Sequence, residues 1–145
     1  MDQTVARFCE EEDGMARLLI IDDEEPLCQM LENAFREKGH IVETATSGEV
    51  AKAMIGSQVY DLVISDIRMP DLTGIELLEH AHAAKIRTPF ILMTAVPTMA
   101  TAIQAVNLGA YRYVIKKDTL VEDIWAIVEG ALKEQALRQQ NAGCL

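Results

Sequence analysis

The chain has 145 residues, half of them hydrophobic and a quarter charged, the size and balance of one globular domain, which excludes wholesale disorder. Asp and Glu outnumber Lys and Arg by 23 to 13, and the formal net charge of -10 sets the chain against nucleic-acid phosphates and anionic lipid, so neither is an expected partner. Its apolar runs are far shorter than the ~20 residues that span a bilayer, and the N-terminus lacks the basic start and apolar stretch of a secretory signal, so the expected location is the cytoplasm.

Residues 1–15 read as an acidic N-terminal extension, with the run Glu10 to Asp13 as a solvated tail. The first predicted strand is Arg17 to Ile21, followed at once by Asp22 and Asp23. Leu27, Met30, Leu31, Ala34 and Phe35 then fall at helical spacing, with Pro26 in the first turn and Gly39 just past the end. A second strand, Ile41 to Thr44, leads to a helix from Gly48 to Ile55. The third strand, Leu62 to Ser65, ends at Asp66, and a third helix runs from Gly74 to Ala84. The fourth strand is Phe90 to Met93, ending at Thr94; Met99 to Leu108 forms the fourth helix, closed by Gly109. A fifth strand, Tyr111 to Ile115, ends at Lys116. From Leu120 the last helix carries Ile124, Ile127, Val128, Ala131 and Leu132 on one stripe, leaving Trp125 off it as a candidate contact residue. The domain is expected over 16–137, with 138–145 a C-terminal tail or linker stub.

Five strand-then-helix alternations with strands apolar throughout, as in Leu18 to Ile21 and Phe90 to Met93, predict a parallel sheet covered on both faces. Right-handed crossovers make this an α/β doubly wound fold, whose ligands sit at the carboxyl ends of the strands where strand order reverses. Three acids, Asp22, Asp23 and Asp66, stand at such ends. Like charges in one pocket raise each other's pKa, and a divalent cation is the usual compensation. Oxygen ligands alone favour Mg²⁺ or a similar hard ion. Lys116 and Thr94 end neighbouring strands, and a cation and a hydroxyl among acids and a metal suit phosphoryl chemistry, with Asp66 as the expected nucleophile. Cys9, Cys28 and Cys144 have no metal-ligand spacing and read as free thiols, and His40, His80 and His82 carry no expected catalytic or metal role.

The sequence resembles the receiver domain of two-component response regulators, the CheY-like family, from Ala16 to about Leu137. The resemblance is carried by Leu18-Leu-Ile-Ile-Asp-Asp-Glu-Glu-Pro26, Asp61-Leu-Val-Ile-Ser-Asp-Ile-Arg-Met-Pro-Asp-Leu-Thr-Gly74, Ile91-Leu-Met-Thr-Ala95 and Gly109-Ala-Tyr-Arg-Tyr-Val-Ile-Lys116. It implies a flavodoxin-like sheet of order 2-1-3-4-5, and Asp66 as acceptor of a phosphoryl group from a sensor histidine kinase or phosphotransfer protein. It further implies Mg²⁺ held by Asp22, Asp23, Asp66 and the Arg68 carbonyl, with Lys116 and Thr94 contacting the phosphoryl group. Thr94 and Tyr113 would be the switch pair. The fourth helix, fifth strand and fifth helix would form the contact face, with Tyr111, Arg112 and Trp125 as interface candidates and a homodimer or an output domain as its partner. Such a chain is a self-phosphorylating receiver with autodephosphorylation at most, rather than a turnover enzyme. Arg68 and Val96, two residues after Asp66 and Thr94, read either as side chains that overhang the phosphoryl group or as plain solvent-exposed loop residues.

Lys117 departs from the family, which commonly has Pro there in a cis peptide. A non-proline cis bond costs roughly 3 to 4 kcal/mol, so the loop is either trans and rearranged or strained. Two rival readings are a degenerate receiver acting as a phosphate-independent interaction module and an aspartyl-nucleophile phosphohydrolase of the haloacid dehalogenase kind. The latter wants a DxD pattern on the first strand, which Asp22-Asp23-Glu24 lacks.

Overall fold

In the computed structural model, residues 15–22, 25–118 and 121–144 are described. Five strands alternate with five helices: β1 (Arg17–Ile21), α1 (Glu25–Glu37), β2 (Ile41–Ala45), α2 (Gly48–Ser57), β3 (Leu62–Asp66), α3 (Gly74–Ala83), β4 (Phe90–Thr94), α4 (Met99–Asn107), β5 (Arg112–Ile115) and α5 (Val121–Cys144). The sheet is wholly parallel in the order β2-β1-β3-β4-β5, so the chain reverses its direction of travel across the sheet after β2. This is the flavodoxin-like order expected.

The central strands β1, β3 and β4 are buried on both faces because each face has its own helical layer. Leu19, Ile21, Val63, Phe90 and Leu92 point into a core shared with Ala51, Ile55, Leu77, Leu78, Ala81 and Ala105 of α2, α3 and α4. The alternate residues Leu18, Ile20, Leu62, Ile64, Ile91 and Met93 meet Cys28, Leu31 and Phe35 of α1 and Ile124, Val128 and Ala131 of α5. The period of two along each strand divides the apolar residues between the layers.

Several boundaries differ from the sequence reading. β5 begins at Arg112 rather than Tyr111, whose N–H donates to the Phe90 carbonyl at 2.8 Å as the chain enters the edge. Met30, at helical spacing with the α1 core residues, is exposed. The stretch beyond Leu137, expected as a tail or linker stub, is helical, α5 running to Cys144. Residues 1–14 of the expected extension 1–15 and the pair Asp23 and Glu24 lie outside the described residues.

His40 is built into the start of β2. Its Nδ1 accepts the N–H of Ala16 at 3.1 Å, and its ring lies 5.4 Å from that of Trp125. An accepting Nδ1 carries no proton, and burial holds the imidazole below its ordinary pKa of 6.5. The folded chain therefore binds fewer protons here than the unfolded one, and stability should fall as pH drops below 6.5. In His40→Asn, which keeps an acceptor for Ala16, melting midpoints should lose part of that slope between pH 7 and 6. An unchanged slope would remove His40 from the balance.

Candidate phosphoryl site

The four strand-end residues converge at the carboxyl edge of the sheet. Asp22 leaves β1, Asp66 ends β3, Thr94 ends β4 and Lys116 follows β5. The Lys116 ammonium lies 3.1 Å from Asp66 Oδ2 and 3.1 Å from Asp22 Oδ2, bridging the two acids across the point where strand order reverses. Asp22 is 0% exposed and Asp66 5%. Two buried carboxylates on one ammonium leave these three groups with a formal charge of -1, in a pocket where charge is costly. Burial pushes the Asp66 carboxyl from 3.8 up to about 6, with the Lys116 hydrogen bond and charge opposing that rise.

Such a site fits Mg²⁺: the donors are hard oxygens, and the excess negative charge is what a divalent cation would neutralise. No group of three or more His, Cys, Asp or Glu suited to a metal occurs among the described residues. The third expected carboxylate, Asp23, lies outside them.

The loop 67–73 that follows Asp66 is held at many points. Gly74 N–H donates to Ile67 O at 2.9 Å and closes the loop at its base, while Arg68 N–H reaches Asp66 Oδ1 at 3.4 Å. A Cβ on Gly74 would stand 2.4 Å from the Asp66 carbonyl oxygen, so only glycine lets α3 start against the end of β3. The buried Ser65 hydroxyl donates to that same carbonyl at 2.9 Å. Thr73 then caps α3 in a reciprocal box with Glu76. Asp71 reaches across to α2, its two carboxylate oxygens accepting the N–H groups of Gly48 and Glu49 at 3.0 Å each. Those bonds, that from Glu49 foremost, hold its carboxyl below the usual range. Beneath β1, the Cys28 thiol donates to the Asp22 carbonyl at 3.3 Å. Burial, reinforced by the Asp22 charge, pushes this thiol up to about 12, so it is an unreactive packing group.

Thr94 is buried, and its hydroxyl accepts the Val96 N–H at 3.1 Å. Tyr113 is half-buried on β5, with its hydroxyl tied to the start of α4. It accepts the Thr98 N–H at 3.3 Å and shares a 2.8 Å hydrogen bond with Thr101 Oγ1.

The family model of the response regulator receiver domain matches residues 18–128. The chain belongs to this family. It is 38% identical over 124 residues to the regulatory protein AtoC of Escherichia coli, covering 86% of this chain and 27% of that protein. To the response regulator SaeR of Staphylococcus aureus it is 34% identical over 102 residues, covering 70% of this chain and 44% of that one. The chain thus spans a quarter to under half the length of these relatives. A solved CheY-like receiver domain from Methanospirillum hungatei superposes with a TM-score of 0.82 at 27% identity, covering 86% of this chain and 98% of its own. The Francisella response regulator 1452 receiver domain gives a TM-score of 0.77 at 27% identity, over 83% and 98%. Neither the phosphohydrolase nor the phosphate-independent reading is favoured by these likenesses.

Within this receiver domain, one sequence reading changes and one that stood open between two alternatives is answered. Trp125 is not a residue the core leaves unclaimed. Its ring stands 5.6 Å from Phe35 and 5.4 Å from His40, with the Lys38 ammonium 5.0 Å from its centroid, which seats it in the seam between α1 and α5. Around Lys117 the strained alternative is absent: no cis peptide bond occurs among the described residues, and Lys116–Asp118 form a 3₁₀ turn with Lys116 directed at both acids. Arg112 is exposed, and its guanidinium sits 5.4 Å from the centroid of the Tyr111 ring. No helix among the described residues is long and apolar enough to cross a membrane.

Proposed function

We propose that this receiver domain is a phosphoacceptor switch in which Asp66 takes the phosphoryl group of a phosphohistidine on a sensor histidine kinase or phosphotransfer protein. The observation that carries the reading is the buried Asp66 carboxylate sharing the Lys116 ammonium with Asp22 at the sheet's switch point. An Asp66 oxygen attacks phosphorus, the P–N bond breaks, and its electron pair leaves with the imidazole, which takes up a proton. Lys116, relieved of part of its pairing with Asp66, contacts the transferred oxygens. Asp22, Asp23, Asp66 and the Arg68 carbonyl would hold Mg²⁺, which supplies charge neutralisation for the incoming phosphoryl group. Any loss of the phosphoryl group is autodephosphorylation by water, not turnover of a second substrate. This reading also places the chain in the cytoplasm.

Acetyl phosphate with Mg²⁺ should add one phosphoryl group to the intact protein, seen by mass. EDTA and Asp66→Asn should each abolish it. Equal labelling of Asp66→Asn would sink the assignment.

Signal would leave through α4, β5 and α5. The Thr94 hydroxyl can keep accepting from Val96 while it donates to a phosphoryl oxygen, and Tyr113 can turn inward only by giving up Thr98 and Thr101. The face is suited to contact: no charged residue lies between Arg87 and Arg112, and Met99 and Val106 are 80% and 74% exposed. An output domain, a partner protein or a second copy would dock there. Beryllofluoride, which mimics the aspartyl phosphate, should change amide exchange along α4. Change confined to the loops at Asp22 and Asp66 would refute the coupling.

A further inference from the structure

We infer that Asp71 is a positioning residue for the metal and phosphoryl site, acting by tying the loop that carries Arg68 to the N-terminus of α2. The inference rests on the phosphoacceptor reading above. Asp71 is exposed, and its position is fixed by α2. Four N–H groups at a helix start lack partners within the helix. Here they are those of Ser47, Gly48, Glu49 and Val50: the Ser47 hydroxyl accepts Val50 at 3.2 Å, while Ala51 N–H to the Ser47 carbonyl at 3.1 Å is the first bond of the helix itself. Gly48 and Glu49 are left to Asp71, 23 and 22 residues further along the chain. A carboxylate with an oxygen on each of two adjacent N–H groups has little freedom to pivot, and its charge suits the positive end of the helix.

Packing reinforces the tie. A Cβ added to Gly48 would lie 2.5 Å from Leu72 Cβ and 2.6 Å from Leu72 O, so α2 starts directly against the backbone of the loop. At its other end the loop is pinned by Gly74 on the Asp66 carbonyl and by the buried Ile67 and Met69. Arg68 lies between buried Ile67 and Met69, and only exposed Pro70 separates this stretch from Asp71. Asp71 holds the far end of a short span whose near end is Asp66, and through Pro70 and Met69 it limits how far the Arg68 carbonyl can turn away from the site. Groups that orient a ligand without touching the metal commonly change metal affinity by about 10- to 100-fold when removed.

The test is a titration of the unphosphorylated full chain with magnesium chloride, followed by backbone amide NMR and by the melting midpoint. In the wild type the Gly48 and Glu49 amide signals should move with metal although neither residue is a ligand. Asp71→Ala should weaken the apparent Mg²⁺ dissociation constant about tenfold. Asp71→Asn, which keeps the shape and one acceptor, should fall between. A plain helix cap predicts something else: lower melting midpoints in both variants with Mg²⁺ affinity within twofold of wild type, and that result overturns the inference. Should Asp71→Ala fail to fold, Asp71→Asn decides, and Mg²⁺ affinity within twofold of wild type there also overturns it. A wild type that binds no Mg²⁺ removes the metal reading itself and this inference with it, whereas a wild type that binds beside unchanged variants removes the inference alone.

Discussion

Replacing Lys116 by Met should weaken the fold and tighten metal binding at once. The ammonium is 3.1 Å from both Asp22 and Asp66, and removing it leaves two buried carboxylates without that compensation. Breaking a buried pair from one side costs about 3–5 kcal/mol. At pH 7 in EDTA the variant should therefore lose about 3 kcal/mol. The loss should shrink as pH falls, because protonation of one carboxyl then does what the ammonium did. A divalent cation entering the same pocket no longer meets a nearby positive charge, so Mg²⁺ affinity should rise, by roughly tenfold if about 1.4 kcal/mol of repulsion is relieved. Labelling by acetyl phosphate should nonetheless fall steeply, since the transferred oxygens lose their cation. Calorimetry in EDTA and a Mg²⁺ titration check the two signs. A variant as stable as wild type, or one with weaker Mg²⁺ binding, would contradict the bridging role.

The parts of this design legible in sequence are those with a local cause. Runs such as Leu18 to Ile21 and Phe90 to Met93 are apolar on both faces because both faces are covered, which announced a parallel sheet and hence a site at its carboxyl edge. Asp22, Asp66, Thr94 and Lys116 stand at strand ends, so the convergence of these four followed from the strand order. What escaped the sequence depends on contacts between distant elements. The stripe on α5 alone left Trp125 unclaimed, because its partners Phe35, Lys38 and His40 come from α1 and the turn after it. Gly74 stood in a recognisable motif, but its clearance from the Asp66 carbonyl is a tertiary fact. Asp71 stood in the same motif with no role of its own, because the Gly48 and Glu49 N–H groups it accepts come from a helix more than twenty residues earlier. For Lys117, sequence could pose trans against strained cis, and only the backbone answers.

Asp66→Asn should stabilise the metal-free protein while abolishing its chemistry. In the wild type, burial raises this carboxyl from 3.8 to about 6 despite Lys116, so the charged form is the costly one. Between those two values the native state holds a proton that the unfolded chain has released, and stability falls as pH rises through the window. Above pH 6 the whole cost is present, and below 3.8 it vanishes. An amide of the same shape never ionises. Its advantage should be about 1–2 kcal/mol at pH 7, the shift being discounted because Lys116 then faces Asp22 with one anion fewer. For a chain of this size that is a rise of roughly 2–8 °C in melting midpoint, shrinking to nothing near pH 4. Saturating Mg²⁺ should reverse the order, since a ligand at 100 times its dissociation constant adds about 2.7 kcal/mol to the state that binds it, and the amide is the poorer ligand. The crossover between EDTA and Mg²⁺ is the decisive measurement. If Asp66→Asn were less stable than wild type in EDTA at pH 7, the carboxylate would be a well-compensated structural group. The site would then lack the excess negative charge that recruits a cation.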